Sequence, residues 1–120
     1  MTNADTSNLD VIQAYYRNLD AKEFETLESL LADEFTQHRP DRTFKNPDQF
    51  LEFMRDERPH TDTTHNISNY FSPIIPHSAD NTIAVRGTLC SENGERMLEF
   101  IDVVSFNSDM KIDRIETYTN

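Results

Sequence analysis

Three side chains of this sequence, Asp102, His65 and Arg39, are of types that could do chemistry. Asp102 interrupts the most apolar segment of the chain, residues 98–106. A lone carboxylate is costly to take out of water unless it is paired, hydrogen-bonded or protonated, so this position indicates a partner or a reaction. A histidine exchanges protons near neutral pH, and an arginine binds carboxylate or enolate oxygens. These residues indicate where a pocket lies more than what enters it.

His65 lies in an alternating segment with Ile67, Asn69 and Phe71, and we expect it to face a cavity. The alternative is structural, because a lone histidine on a strand is more often only a hydrogen-bonded part of the wall. The four histidines have no metal-binding spacing, and the chain has two glycines, too few for a phosphate-binding loop. We therefore expect no metal and no cofactor.

The helices that would position these residues lie in the first half of the chain. Ser7 and Asp10 have capping-box spacing and precede apolar residues at helical intervals, which predicts a first helix. A second helix is predicted from about Glu23, with a buried stripe that includes Leu30 and Leu31. The two helices should form a hairpin.

A third helix is predicted with Asn46 as its cap, Pro47 in the first helical position and Gln49 in the third. Strands follow from the alternation of polar and apolar residues. The predicted strands are residues 34–39, 64–71, 82–90, 96–106 and 111–119, with a loop at 72–80 and a hairpin turn at 92–95.

This order of elements predicts an α+β fold in which three N-terminal helices pack on a curved antiparallel sheet that encloses a pocket. One sheet face, with Val85, Phe100 and Asp102, would line the pocket against the helices. The other face is also rich in apolar residues and would expose a patch. We expect a homodimer to cover this outer sheet face.

Composition narrows the class of protein. The chain has 120 residues, of which 36% are hydrophobic, and this suits a single domain at residues 7–120 after a frayed tail at 1–6. No segment has the length and apolarity of a membrane span or the pattern of a signal peptide, so we expect a cytoplasmic protein without a membrane partner. The single cysteine, Cys90, is expected to serve packing.

The formal net charge of −11 argues against nucleic acid as a partner, because a phosphate backbone rewards clustered Lys and Arg. Many acidic residues with few lysines suit a protein that stays hydrated in concentrated salt. We hypothesise a halophilic source.

Five segments carry a resemblance to a known family: residues 11–16, 24–35, 50–53, 100–106 and 111–115. Through them the chain resembles the nuclear transport factor 2-like superfamily, in its SnoaL-like and ketosteroid-isomerase-like branch, over nearly all residues from Leu9 to Tyr118. The resemblance implies a cone with a deep apolar pocket, usually dimeric. It specifies the fold better than the activity, because such folds host isomerases, cyclases, dehydratases, hydrolases and noncatalytic binding modules.

Steroid-type isomerases of this branch bind the developing oxyanion with a tyrosine and a protonated aspartate. The resemblance places Tyr15 and Asp102 at these positions. It places Arg39 where the catalytic base would be, and a guanidinium cannot abstract a proton at neutral pH. Simple isomerase chemistry through that position is therefore not expected.

Arg39 has two interpretations, which the sequence leaves open. With Gln37 and Phe35 on an inward face, Arg39 could form a buried, structural ion pair with Asp102, or it could bind a carboxylate or enolate substrate. We expect Asp102 or His65 to act as base if the protein is an enzyme, with Tyr15 and Arg39 stabilising the oxygen anion. The expected lining for a small-molecule ligand is Arg39, Gln37, Phe35, Tyr16, Val85 and Phe100. The alternative function is a noncatalytic ligand-binding or dimerisation module.

Overall fold

The computed structural model describes residues 8–57, 62–71 and 82–120. The predictions for the tail at 1–6, the capping residue Ser7 and the loop at 72–80 lie outside these residues. The helices are α1 (Asn8–Ala21), α2 (Phe24–Ser29) and α3 (Pro47–Glu52), and α3 continues into a π-helical turn, Phe53–Glu57. The strands are β1 (Leu31–His38), β2 (Thr43–Phe44), β3 (Thr64–Phe71), β4 (Thr82–Cys90), β5 (Arg96–Phe106) and β6 (Ile112–Thr119).

The fold is α+β, as predicted, and the described strands form one sheet in the order β2-β1-β6-β5-β4-β3. Strands β3 to β6 form an antiparallel meander. The sheet is not antiparallel throughout, because β1 pairs with β6 in parallel. A hairpin forces its two strands to be antiparallel, whereas β1 and β6 are separated by the whole meander and have no such constraint.

The boundary between α2 and β1 differs from the prediction. The second helix ends at Ser29, and Leu31 already pairs with Ile112 of β6. The backbone N–H of Ile112 also donates to the carbonyl of Leu30, at 2.9 Å. Leu30 and Leu31 continue the helical spacing of apolar residues, but pairing with β6 satisfies their backbone and still buries Leu31. A long-range contact thus overrides the local pattern.

The start of α3 is as predicted. The side-chain oxygen of Asn46 accepts a hydrogen bond from the backbone N–H of Gln49 at 2.8 Å, and Pro47 occupies the first turn. In return, Gln49 Oε1 accepts from the backbone N–H of Lys45, at 2.9 Å. These bonds satisfy donors that a helix start leaves open. The following turn brings Phe53 and Met54 into the core.

Strand register decides which side chains face the helices. Val85 of β4 lies opposite Asp102 of β5, and Asp102 lies opposite Thr117 of β6. Because side chains directly opposite each other lie on the same face of a sheet, these three share the inner face. Asp102 is therefore placed among the core side chains, 5% exposed, and away from the outer face.

Candidate functional site

A cavity of about 240 Å³ lies between the inner face of the sheet, α1 and the turn that follows α3. One part of its wall is polar and the rest is apolar. The polar and aromatic-hydroxyl lining residues are Tyr15, Gln37, Arg39, Thr63, His65, Asp102, Thr117 and Thr119. The apolar lining residues are Leu19, Phe53, Met54, Leu89, Met97, Leu98 and Phe100. The cavity therefore suits a small, partly polar organic molecule.

Both carboxylate oxygens of Asp102 accept hydrogen bonds from hydroxyl groups. The Tyr16 hydroxyl donates to Oδ2 at 2.5 Å, and the Thr117 hydroxyl donates to Oδ1 at 2.6 Å. Tyr16 projects from α1 and Thr117 from β6, so Asp102 connects the helix layer to two central strands. The desolvation of this carboxylate is offset mainly by hydroxyl groups, without a directly paired cation in the described part of the chain.

Burial raises the pKa of Asp102, while the hydrogen bonds from Thr117 and Tyr16 act in the opposite direction. The more distant charges of His65 and Arg39 also lower it, but they do not cancel the effect of burial. The pKa of Tyr16 lies well above its ordinary value, first because of burial and then because of the charge of Asp102. Tyr16 therefore remains a hydrogen-bond donor at any physiological pH.

Gln37 extends this network along the cavity wall. Its Nε2 donates to the Thr117 hydroxyl oxygen at 3.1 Å, so hydrogen bonds run from Gln37 to Thr117 and on to Asp102. Among the described residues, Gln37 Oε1 is buried without a hydrogen-bond partner. Asp102 sets the direction of this series of hydrogen bonds, because an ionised carboxylate can only accept them.

His65 is held by a carboxylate that the sequence analysis did not connect with it. Asp20, in the last turn of α1, has its Oδ1 at 2.6 Å from His65 Nδ1 and accepts the backbone N–H of His65 on Oδ2, at 2.9 Å. The imidazole lies against the rings of Tyr16 and Phe100, with centroid distances of 5.4 and 5.5 Å. Position and orientation of the ring are therefore both fixed.

Because Asp20 accepts at Nδ1, the neutral imidazole carries its proton on Nδ1 and leaves the Nε2 lone pair open. Nε2 has no hydrogen-bond partner within 8–57, 62–71 and 82–120. His65 lines the cavity, with a side chain 13% exposed. The geometry can therefore support proton abstraction from a molecule in the cavity.

Arg39 also lines the cavity, but it is not paired with Asp102. Its Nε lies 3.4 Å from Oδ1 of Asp41, a half-exposed residue that also contacts Arg42. The guanidinium carbon of Arg39 lies 5.6 Å from the centre of the Phe53 ring, and that of Arg42 lies 4.4 Å from it. The structural ion pair between Arg39 and Asp102 that the sequence left open is therefore not formed, because Asp102 is satisfied by hydroxyl groups.

The tyrosine that contacts Asp102 is Tyr16 and not Tyr15. Tyr15 lines the cavity and stacks on Phe50, with 6.3 Å between ring centres. Neighbouring residues on a helix point about 100° apart, so an assignment by position that is wrong by one residue selects a different face. Tyr16, expected among the ligand-binding residues, is buried behind the cavity wall and serves Asp102.

Two other expected lining residues belong to the core. Phe35 packs edge-on against Phe50, with ring centres 5.2 Å apart, and Val85 is fully buried; neither lines the cavity. Alternation along a strand gives the face of a residue but not its depth, and the cavity lies farther along the sheet. Gln37 and Phe100 do line it.

The sequence analysis did not assign two residues, Asp20 and Thr117, to this site. Asp20 has an acidic side chain in the last turn of a helix that has no basic residue there. An acid at that end opposes the helix dipole, and this local misfit was the available signal. Thr117 has no comparable signal, because only strand register brings it to Asp102.

The part of the chain that the structure describes holds no cluster of three metal-ligating side chains. Its helices are all too short or too polar to cross a membrane.

Comparisons with known proteins give a family and several similar folds. The sequence model described as the SnoaL-like domain matches residues 12–115. An NTF2-like protein of unknown function from Cytophaga hutchinsonii has a TM-score of 0.79 at 12% identity, with 100% of this chain and 95% of that chain covered. A proposed isomerase of the SnoaL-like family from Agrobacterium tumefaciens has a TM-score of 0.72 at 16% identity, with 94% and 97% covered.

A proposed polyketide cyclase from Sinorhizobium meliloti is also similar, with a TM-score of 0.73 at 11% identity, covering 91% of this chain and 94% of that one. The comparison with curated proteins found no match. At these identities the solved structures show the fold alone.

Proposed function

Because the chain belongs to the SnoaL-like domain family, we propose that its cavity binds a small organic molecule and performs cofactor-free acid–base chemistry on a carbonyl or enol group. The observation that carries this proposal is the Asp20–His65 pair at the cavity wall, where Nε2 of His65 has no hydrogen-bond partner in the part of the chain that the structure describes. The names given to two structural neighbours, an isomerase and a polyketide cyclase, point to the same kind of chemistry.

We assign the role of base to His65. Asp20 holds the imidazole in the tautomer that accepts a proton at Nε2, and it would stabilise the imidazolium that forms. The position of Asp20 supports this role, because a carboxylate in the last turn of α1 opposes the helix dipole. Such a local cost is expected at a functional residue.

Asp102 is less suited to be the base. Both of its oxygens already accept hydrogen bonds, from Tyr16 and Thr117. A proton taken up by this carboxylate would remove its charge and weaken both of these hydrogen bonds in a buried environment. In this proposal Asp102 organises the wall, and Arg39 and Tyr15 face the oxygen that becomes negative.

The experiment is exchange of α-protons in deuterated water, followed by proton NMR, with cyclohexanone and 4-oxopentanoate as probes. We expect the protein to accelerate exchange above the buffer rate, and His65→Gln to lower this acceleration at least ~100-fold, the size of a general-base contribution. Asp20→Asn should act in the same direction. The control is His38→Gln, because His38 contacts Thr36 and does not line the cavity. Exchange at the buffer rate, or exchange that His65→Gln leaves unchanged, would contradict the proposal.

The second candidate is a noncatalytic binding module. The network of Asp102, Tyr16 and Thr117 favours it, because these groups satisfy one another and need no substrate. A protein that binds a small molecule in the cavity but never exceeds the buffer exchange rate would have this function.

We also propose a homodimer that covers the outer face of the sheet. Ile101 and Tyr118 lie opposite each other on β5 and β6 and are 44% and 55% exposed. Apolar groups clustered in this way are typical of interaction surfaces. Ile101→Lys with Tyr118→Lys should give a monomer in sedimentation velocity, while Met110→Lys, in the turn between β5 and β6, should not. A monomeric parent protein would refute the dimer. We also propose a cytoplasmic location, and the net charge of −11 argues against nucleic-acid partners.

A further inference from the structure

We propose that the natural ligand is a small organic acid whose single carboxylate binds the guanidinium of Arg39. This rests on the proposed function in using the same cavity, and it names the substrate class. It assigns Arg39 to the carboxylate of the substrate and leaves Tyr15 to face the oxygen that becomes negative. The proposal requires that Arg39 has N–H groups without a protein partner and that its charge is not neutralised by neighbouring side chains. It also requires that the rest of the cavity suits the apolar part of the ligand.

Arg39 has donors to spare. Among the described residues, the Arg39 side chain makes a polar contact with Asp41, where Nε lies 3.4 Å from Oδ1. The side chain is 28% exposed. The terminal nitrogens therefore have no protein partner in that part of the chain, although Arg39 lies on the cavity wall. A guanidinium presents parallel N–H groups that match the two oxygens of a carboxylate.

The charge of Arg39 is only partly balanced. The carboxylate of Asp41 contacts both arginines: Oδ1 lies 3.4 Å from Nε of Arg39, and Oδ2 lies 3.2 Å from Nε of Arg42. The Asp41 side chain is 53% exposed. The three side chains thus carry a net charge of about +1, and an exposed ion pair of this kind contributes little. Both guanidinium groups lie over the Phe53 ring, which orients them by cation–π contact.

The remaining charges favour one negative charge on the ligand. Asp102 lines the same cavity, and Asp20 lies behind His65, so a dianion would meet repulsion without a second cation. The whole protein, at −11, repels anions at long range. Recognition must therefore come from the short-range contact with Arg39.

The apolar wall sets the size and character of the ligand. Met54, Leu98 and Phe100 line the same cavity as Arg39 and His65. A cavity of about 240 Å³ is at the small end for a ligand pocket, which suits a single ring or a short branched chain. An organic acid of this size would fill the cavity with its apolar part and place its carbon skeleton beside His65.

The test compares benzoate with benzamide, which has nearly the same shape without the charge, by isothermal titration calorimetry at neutral pH. We expect benzoate to bind at least tenfold more tightly than benzamide. Arg39→Gln should abolish this preference, and Arg39→Lys should retain part of it. Asp41→Asn should tighten benzoate binding severalfold, because it removes the competing carboxylate. The matched control is Arg17→Gln on the exposed side of α1, which makes the same charge change away from the cavity.

Benzoate that binds no better than benzamide, or a preference that survives Arg39→Gln, overturns the proposal. Arg39→Lys and Asp41→Asn keep the test valid if Arg39→Gln fails to fold, which circular dichroism would detect. The outcome is separate from that of the proposed function. Binding of benzoate that depends on Arg39 and persists in His65→Gln supports this inference even without proton exchange, and exchange of cyclohexanone without any benzoate preference contradicts it alone.

Discussion

At the scale of single residues, Asp102 shows what a buried carboxylate needs. Its place in an apolar strand predicted a partner, and it has two, the hydroxyls of Tyr16 and Thr117. A neutral donor lets the carboxylate be buried without an accompanying cation, which leaves Arg39 available elsewhere. The most informative residue of the sequence thus organises the site, while His65 and Arg39 face what enters it.

The Tyr16 hydroxyl is predicted to contribute measurably to stability. Tyr16→Phe keeps the ring and removes the donor to Asp102, so a buried oxygen loses its hydrogen bond. We expect a loss of about 1 to 3 kcal/mol in the free energy of unfolding, measured by urea denaturation. The control is Tyr70→Phe, whose hydroxyl contacts the exposed Gln13 and should change stability by less than about 0.5 kcal/mol. Equal losses in the two variants would show that the buried hydrogen bond contributes no more to the free energy of unfolding than the one at the control residue.

Asp102 should also give stability a pH dependence. Burial raises its pKa in the folded protein above the ~3.9 of the unfolded chain, so the folded state binds the proton more tightly. The stabilising contribution is complete below about pH 4 and is lost as the pH rises through the folded-state pKa. Asn does not titrate.

Asp102→Asn should therefore gain stability relative to the parent protein as the pH rises through this window. Urea unfolding at a series of pH values measures the difference, and all other carboxylates cancel in it. Two curves that stay parallel would mean that the pKa of Asp102 is not raised by folding.

At the scale of elements, the packing between neighbouring strands holds the cavity wall in place. Gly87 of β4 lies opposite Phe100 of β5, and Phe100 lines the cavity. A Cβ at position 87 would lie 2.7 Å from the Phe100 ring and 2.8 Å from the backbone oxygen of Asn66 on β3. The absence of a side chain there leaves room for the Phe100 ring.

Gly87→Ala is accordingly predicted to cost about 1 to 3 kcal/mol of stability and to weaken benzoate binding, because the Phe100 ring must move. Thermal unfolding and calorimetric titration measure the two effects. Gly94→Ala is the control: Gly94 has a φ of 81° in a hairpin turn with open space around it, so it should lose stability through strain alone. Unchanged binding in Gly87→Ala would show that Phe100 does not shape the cavity.

At the scale of the whole molecule, the net charge of −11 on 120 residues makes self-repulsion significant. Raising KCl from 0.1 to 1 M shortens the screening length from about 10 to about 3 Å. We expect the free energy of unfolding to rise over this range, as the hypothesis of a halophilic source requires. Sucrose at matched osmolality separates screening from exclusion effects. Equal stability at low and molar salt would contradict the hypothesis.

Much of the fold could be predicted from local patterns. The period of apolar residues gave the helices and the meander, and Asn46 and Pro47 marked the start of α3. The error at Leu31 arose because helical spacing continued into a segment that pairs with β6. The cavity residues His65, Arg39 and Asp102 were identified by type, since charged groups on inward strand faces require an explanation.

The sequence by itself determined the identities of the groups, the faces of the strands and the charge of the protein. The tertiary structure alone decided the pairs: Tyr16 rather than Tyr15 on Asp102, Asp20 on His65, and Asp41 rather than Asp102 on Arg39. These pairs depend on the rotation of α1 about its axis and on the register of the strands. Both are set by long-range packing, because a shift of one residue redirects every side chain while leaving the local pattern almost unchanged.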